Sequence, residues 1–135
     1  MKYKFLEHTA DVKFRAFGKN SEEVFENSAL ALKESISGKI KIKEKKNKLI
    51  KVKGKDFESL LYSFLEEIIY LLDAENFLIS KIKEIKIKDF RLSAKISGDK
   101  ASNYNFTNEV KAITYNDMFV EKKGKKWVSQ VVLDI

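Results

Sequence analysis

DFESLLYSFLEEIIYLLD, residues 56–73, is the segment from which the fold of this chain can be read. Phe57, Leu60, Leu61, Phe64, Leu65, Ile68, Leu71 and Leu72 recur at helical spacing, and Asp56 stands where a helix N-cap is expected. A helix with so broad an apolar face must be covered by other structure. Its neighbours in sequence have a different period. Residues 39–45 and 48–53 alternate Ile and Val with Lys, which predicts a hairpin turning at Lys46-Asn47. In that hairpin Ile40, Ile42, Ile50 and Val52 face the core and the lysines face water.

Further upstream, residues 1–6 and 12–18 read as two short strands separated by a polar interruption at 7–11. A first helix opens at Asn20, with Glu23 completing a capping-box pattern, and Gly38 stops it. Val24, Phe25, Ser28, Leu32 and Ile36 form its stripe. Downstream of residue 73 the pattern is strand-like, at 78–80, 82–88, 90–97, 109–115, 118–122 and 126–134. Gly98-Asp99 and Lys123-Gly124 are turn signals, and 100–108 reads as an irregular loop. Strands and helices mix without regular βαβ alternation. The expectation is an α+β fold: one domain over residues 1–135, a largely antiparallel β-sheet with two α-helices packed on one face.

With 44% apolar and 12% aromatic residues, the chain can bury a core and is not of the disordered class. The absence of Cys excludes disulfides, thiolate metal sites and Cys nucleophiles, and fits a reducing cytoplasm. The N-terminus lacks the apolar run of a secretory signal, and no stretch approaches the roughly 18 residues of a membrane span. A soluble, cytoplasmic protein without membrane contact is expected. The net charge of +7 is almost wholly Lys, with Arg15 and Arg91 the only arginines. Such a charge attracts nucleic acid, but dedicated RNA readers favour Arg, and dense surface Lys and Glu also suit a thermophile.

Three segments stand out. Glu7-His8-Thr9-Ala10-Asp11 lies between two strands, Glu109-Val110-Lys111-Ala112-Ile113-Thr114-Tyr115 comes later, and Val131-Val132-Leu133-Asp134-Ile135 closes the chain. Taken in order, the His-Thr-Ala-Asp, Val-Lys-Ala-x-Thr-Tyr and terminal Asp-Ile motifs resemble the archease family over essentially the whole length. The resemblance implies an archease-like fold and a non-enzymatic role. Archeases assist an RtcB-type ligase that joins RNA ends in tRNA splicing, promoting its guanylylation and repeated turnover. The partner implied is that ligase, with RNA met indirectly through it and no DNA. The resemblance also implies a divalent metal, calcium first, with magnesium or manganese as alternatives. Its ligands by motif are Asp11, Asp134 and the main chain or terminal carboxylate of Ile135. This is a hard, all-oxygen set, costly to assemble without a cation. His8, Glu7 and Lys111 are the supporting or ligase-contacting residues. Asn116 stands where the family commonly has His, so no role needing an imidazole there carries over.

Each of these residues also has a plainer reading. A lone His is usually structural, Asp before a strand is often a turn residue, and Asp near a chain end is often solvated. Lys111 reads equally as an exposed strand lysine, Glu109 is a weaker candidate, and Tyr115 and Trp127 read as core or interface aromatics. Two other functions fit parts of the sequence. A stand-alone basic RNA-binding or RNA-chaperone module fits the charge, although no RNP-like or Arg-rich segment supports it. A metal-dependent hydrolase would have only His8 and Asp11 to work with.

Overall fold

In chain order the elements are β1 (Tyr3–Leu6), β2 (Val12–Gly18), α1 (Ser21–Ser37), β3 (Lys46–Lys53), α2 (Phe57–Glu75), β4 (Phe77–Lys88), β5 (Arg91–Lys100), β6 (Ala112–Lys123) and β7 (Lys126–Asp134). They are seen in a computed structural model that describes residues 1–7 and 11–135.

Both helices begin where the capping residues predict. The Asp56 carboxylate accepts from Ser59 N at 2.7 Å, and Ser59 Oγ accepts from Asp56 N at 3.2 Å, a complete capping box. Asn20 Oδ1 accepts from Glu23 N at 2.8 Å, but the Glu23 carboxylate takes Lys19 N instead of the cap's own N–H. α2 runs two residues beyond the predicted 73 and stops at Asn76, which adopts the left-handed conformation at φ 52°.

The β structure forms two antiparallel sheets, ordered β1-β2-β7-β6 and β3-β5-β4. Each helix touches strands of both. The helices therefore bury more than a single stripe: in α2, Ile69 joins Leu60, Leu61, Phe64, Leu65, Ile68 and Leu71 in the core. Two contacts tie the layers. Ser28 Oγ of α1 meets Ser129 Oγ of β7 at 2.8 Å in the core. Phe57 of α2 lies edge-on to Trp127 of β7 at 5.1 Å and to Phe90 of the β4–β5 turn at 5.0 Å.

The predicted hairpin over 39–53 does not form. β3 runs straight through Lys46-Asn47 and pairs with β5, while residues 39–45 form no strand. Alternation identifies which residues face the core, and Ile42 is indeed buried, but it does not identify a partner. The backbone of 39–45 is satisfied in other ways. Ser80 Oγ donates to Ile42 O at 2.7 Å, and Lys43 N donates to Tyr104 Oη at 2.9 Å. Tyr104 in turn donates to the Asp99 carboxylate at 2.7 Å.

That relay predicts a pH effect. The Tyr104 hydroxyl, helped by Lys100 N–H, holds the Asp99 carboxyl below its usual value. A depressed folded-state value means that the stabilisation is whole above the ordinary carboxylate range and is lost as pH falls through the lowered one. Tyr104→Phe is expected to speed amide exchange at Lys43 near neutrality, with Ile96 in β5 unchanged. Lowering the pH through the acid range should mobilise the same segment in the parent protein. Equal protection of Lys43 in both proteins at neutral pH would refute the relay.

Gly98-Asp99, predicted as a turn, lies inside β5, with Gly98 paired to both Lys46 and Ile79. The segments read at 78–80 and 82–88 are one strand with register shifts, and 109–115 and 118–122 likewise merge in β6. The β4–β5 turn is Asp89-Phe90, both at positive φ (51° and 55°), the conformation of a type I′ hairpin. Lys123-Gly124 does turn, with Gly124 at φ 64°.

Candidate functional site

β7 is a central strand because Val128, Val131, Val132 and Leu133 are apolar on both faces, and β2 and β6 flank it. The ladder with β2 ends at Val12↔Leu133, and the ladder with β6 includes Ala112↔Asp134. Asp11 precedes Val12 in a bend just outside the ladder with β2 and Asp134 follows Leu133, so both lie at the same end of the β2–β7 pair. Lys111 N donates to Asp134 O at 2.7 Å, which brings the Val-Lys-Ala motif to the same strand end.

The sheet thus gathers most of the sequence candidates. Asp134 and Lys111 are exposed, Asp11 is half-buried, and Ile135 packs partly against the core. Glu7 is exposed just beyond β1, whose last pair is Leu6↔Lys13, so it lies at this end of the sheet. His8 lies outside the described residues, as do Thr9 and Ala10 of its motif. Glu109 is exposed in the loop before β6. Among the described residues, no three His, Asp or Glu side chains come together. A cation held here would rest on two carboxylates and main-chain oxygen, leaving the rest of the usual six to eight positions of a calcium ion open.

Next to this strand end lies a feature that the sequence reading missed. Between Thr114↔Val132 and Phe119↔Gln130, four residues of β6 oppose the single Val131 of β7. A bulge of this kind redirects side chains and is commonly found beside functional sites. It falls on the Thr-Tyr-Asn motif. Thr114 Oγ1 donates to Val132 O at 2.9 Å and accepts from Asn116 N at 3.3 Å. Gln130, 4% exposed, donates to Asp117 O at 2.7 Å and accepts from Arg15 Nε at 2.8 Å. Arg15 also lies over the Phe119 ring at 5.7 Å, and Lys13 Nζ is 3.8 Å from the Asp117 carboxylate. Asp117 takes a positive φ of 53°. Tyr115 is thrown outward, 56% exposed, and stacks on Tyr62 of α2 at 4.3 Å with near-parallel rings. The available signal was Ser129-Gln130, a polar pair inside an otherwise apolar strand, which marks a buried hydrogen-bonding site.

The fold and strand end define a small α+β protein of two antiparallel sheets around two helices, with Asp11 and Asp134 at one sheet end and, among the described residues, no helix long and apolar enough to cross a membrane. Residues 3–135 match the Archease protein family. The chain is 38% identical over 140 residues to a protein archease of Methanosarcina mazei, covering 99% of this chain and 96% of that one. It is 43% identical over 139 residues to a protein archease of Pyrococcus furiosus, covering 98% of each. The solution structure of Methanobacterium thermoautotrophicum protein 1598 superposes with a TM-score of 0.84 at 32% identity, covering 98% of both chains. The chain belongs to the archease family.

Proposed function

We propose that this protein is a non-enzymatic activator of an RtcB-type tRNA-splicing ligase, acting in the cytoplasm to promote guanylylation and repeated turnover. Family membership supports the reading, and one observation carries it: the β2–β7 ladder ends at Val12↔Leu133, which brings Asp11 and Asp134 to the same end of the sheet, with Lys111 N bonded to Asp134 O. In this reading Asp11, Asp134 and the main chain of Ile135 hold a divalent cation, calcium by preference, with magnesium or manganese able to substitute. Their oxygen donors suit such ions and are poor ligands for soft metals. The cation would offset the repulsion of two adjacent carboxylates and offer open positions to an anionic group of the ligase or its nucleotide. The protein's own residues supply the frame. β7 fixes both flanking strands, and the bulge clamped by Gln130 and Arg15 gives the neighbouring surface its shape. Lys111 stands where it can meet an acidic or phosphate group of the partner. RNA enters through the ligase, which performs the covalent chemistry.

The test is multiple-turnover ligation of RNA ends by a limiting amount of RtcB-type ligase from the same source, with GTP and divalent metal, in the presence and absence of this protein. A large gain in product per ligase is expected. A ligase that turns over equally well without it would end the proposal.

A further inference from the structure

The outward face of the β3-β5-β4 sheet carries cations in register. Lys53 and Lys88 both pair with Arg91, so three positive side chains stand in one row across the sheet. In the next row Lys51 and Lys86 flank Ser93. The short serine between two long lysines makes the floor of an open groove of about 660 Å³, with Arg91 at one end. All five cations are exposed. Lys86 has an ion pair with Glu84 at 3.1 Å, and Asp89 lines the groove. Among the described residues, no carboxylate pairs with Lys51, Lys53, Lys88 or Arg91.

Like charges directly opposite on neighbouring strands are destabilising. Lysines on edge strands have a known use, since they prevent sheets from joining edge to edge. That use covers β3 and β4 but not β5, the central strand, where Arg91 and Lys95 gain no such protection. A central arginine facing two lysines is costly in the free protein and favourable against a polyanion. The groove also lacks aromatic side chains. The nearest, Phe90, packs on Phe57 in the turn beyond it. Without a stacking platform the face cannot grip splayed single-stranded bases. It suits a regular phosphate backbone.

We infer that this groove binds the phosphate backbone of a nucleic-acid double helix, without reading sequence, on a surface separate from the Asp11–Asp134 strand end. The inference does not rest on the ligase reading, because the binding is measured with this protein alone.

The experiment is fluorescence anisotropy of a short labelled RNA duplex titrated with the full chain across a series of KCl concentrations. It compares the parent, a variant with Lys51, Lys53, Lys86 and Lys88 each changed to Gln, and a control of equal charge. The control changes Lys122, Lys123, Lys125 and Lys126 to Gln, all exposed at the β6–β7 turn. Thermal melting of each confirms that it is folded. The groove variant should bind about tenfold more weakly or worse, with the slope of log affinity against log salt shallower by about 3. The control should stay within about twofold of the parent, allowing for screened long-range attraction. Equal losses in both variants would mean that net charge alone attracts RNA, and the inference would fail. It would fail equally if the parent did not bind the duplex at near-physiological salt. A third outcome also overturns it: the groove variant losing affinity for polyglutamate while keeping its affinity for the duplex, which would mark a docking face for an acidic protein.

Discussion

Asp11→Asn and Asp134→Asn are each expected to remove most of the gain that this protein confers on multiple-turnover RNA ligation. Asn keeps the shape of Asp and one oxygen acceptor, so Asp134→Asn, at an exposed position, should remain within about 0.5 kcal/mol of the parent in stability, and thermal melting confirms that both variants are folded. What it loses is the charge that a hard divalent cation requires. Calcium affinity, followed by calorimetry, should fall by at least the ~10–100-fold seen when a ligand's supporting partners are removed. The measurements separate two claims. Full activation by both variants would dismiss the strand-end site while leaving the activator role intact. Absence of activation by the parent would dismiss the role itself. Lys111→Ala should weaken activation without changing metal affinity, since its backbone N–H, which donates to Asp134 O, is retained.

The largest effect on stability is expected from a single methyl group. A Cβ at Gly98 would press on Leu78 O and come within 2.7 Å of Phe77 Cζ, so Gly98→Ala requires β4 and β5 to separate. Backbone atoms on a paired strand cannot rotate away as a side chain can. The cost should be about 3 kcal/mol, the upper part of the range for overpacking, or roughly 10 °C in Tm for a chain of this length. Gly124→Ala is the comparison. There a Cβ meets nothing within 4 Å, and only the positive φ of 64° opposes it, at about 1 kcal/mol. If the two variants melted together, the close approach at Gly98 would not be what limits that position.

The same glycine shows where sequence reading reaches its limit. Gly98-Asp99 has the composition of a turn, yet the glycine is there because two strands and a phenyl ring meet over it, a constraint visible only once β4 is in place. The helices were legible because their signals are local: Asp56 and Asn20 cap within three residues, and the apolar positions repeat every turn. The residues facing the core in 39–53 were legible for the same reason, whereas their partner was not, since Lys46 pairs with a strand that begins far downstream. At the strand end, motif resemblance named Asp11, Asp134, Ile135 and Lys111, and the register explains how residues so distant in sequence come to one end of the sheet. The Thr114–Phe119 bulge has no local signature of its own. It is held by Gln130 and Arg15, which belong to other strands, and so no window of sequence contains it.

Phe57 touches Trp127 of one sheet and Phe90 at the turn of the other. The molecule therefore has a built-in reporter: the only tryptophan senses, through one phenylalanine, whether the opposite sheet is still in place. Neither sheet can leave the shared helices without exposing its own apolar face and the helix residues it covers, so melting should be a single cooperative event. Fluorescence of Trp127 and far-UV circular dichroism should then trace the same curve, even when the lesion, as at Gly98, lies in the sheet that holds no tryptophan.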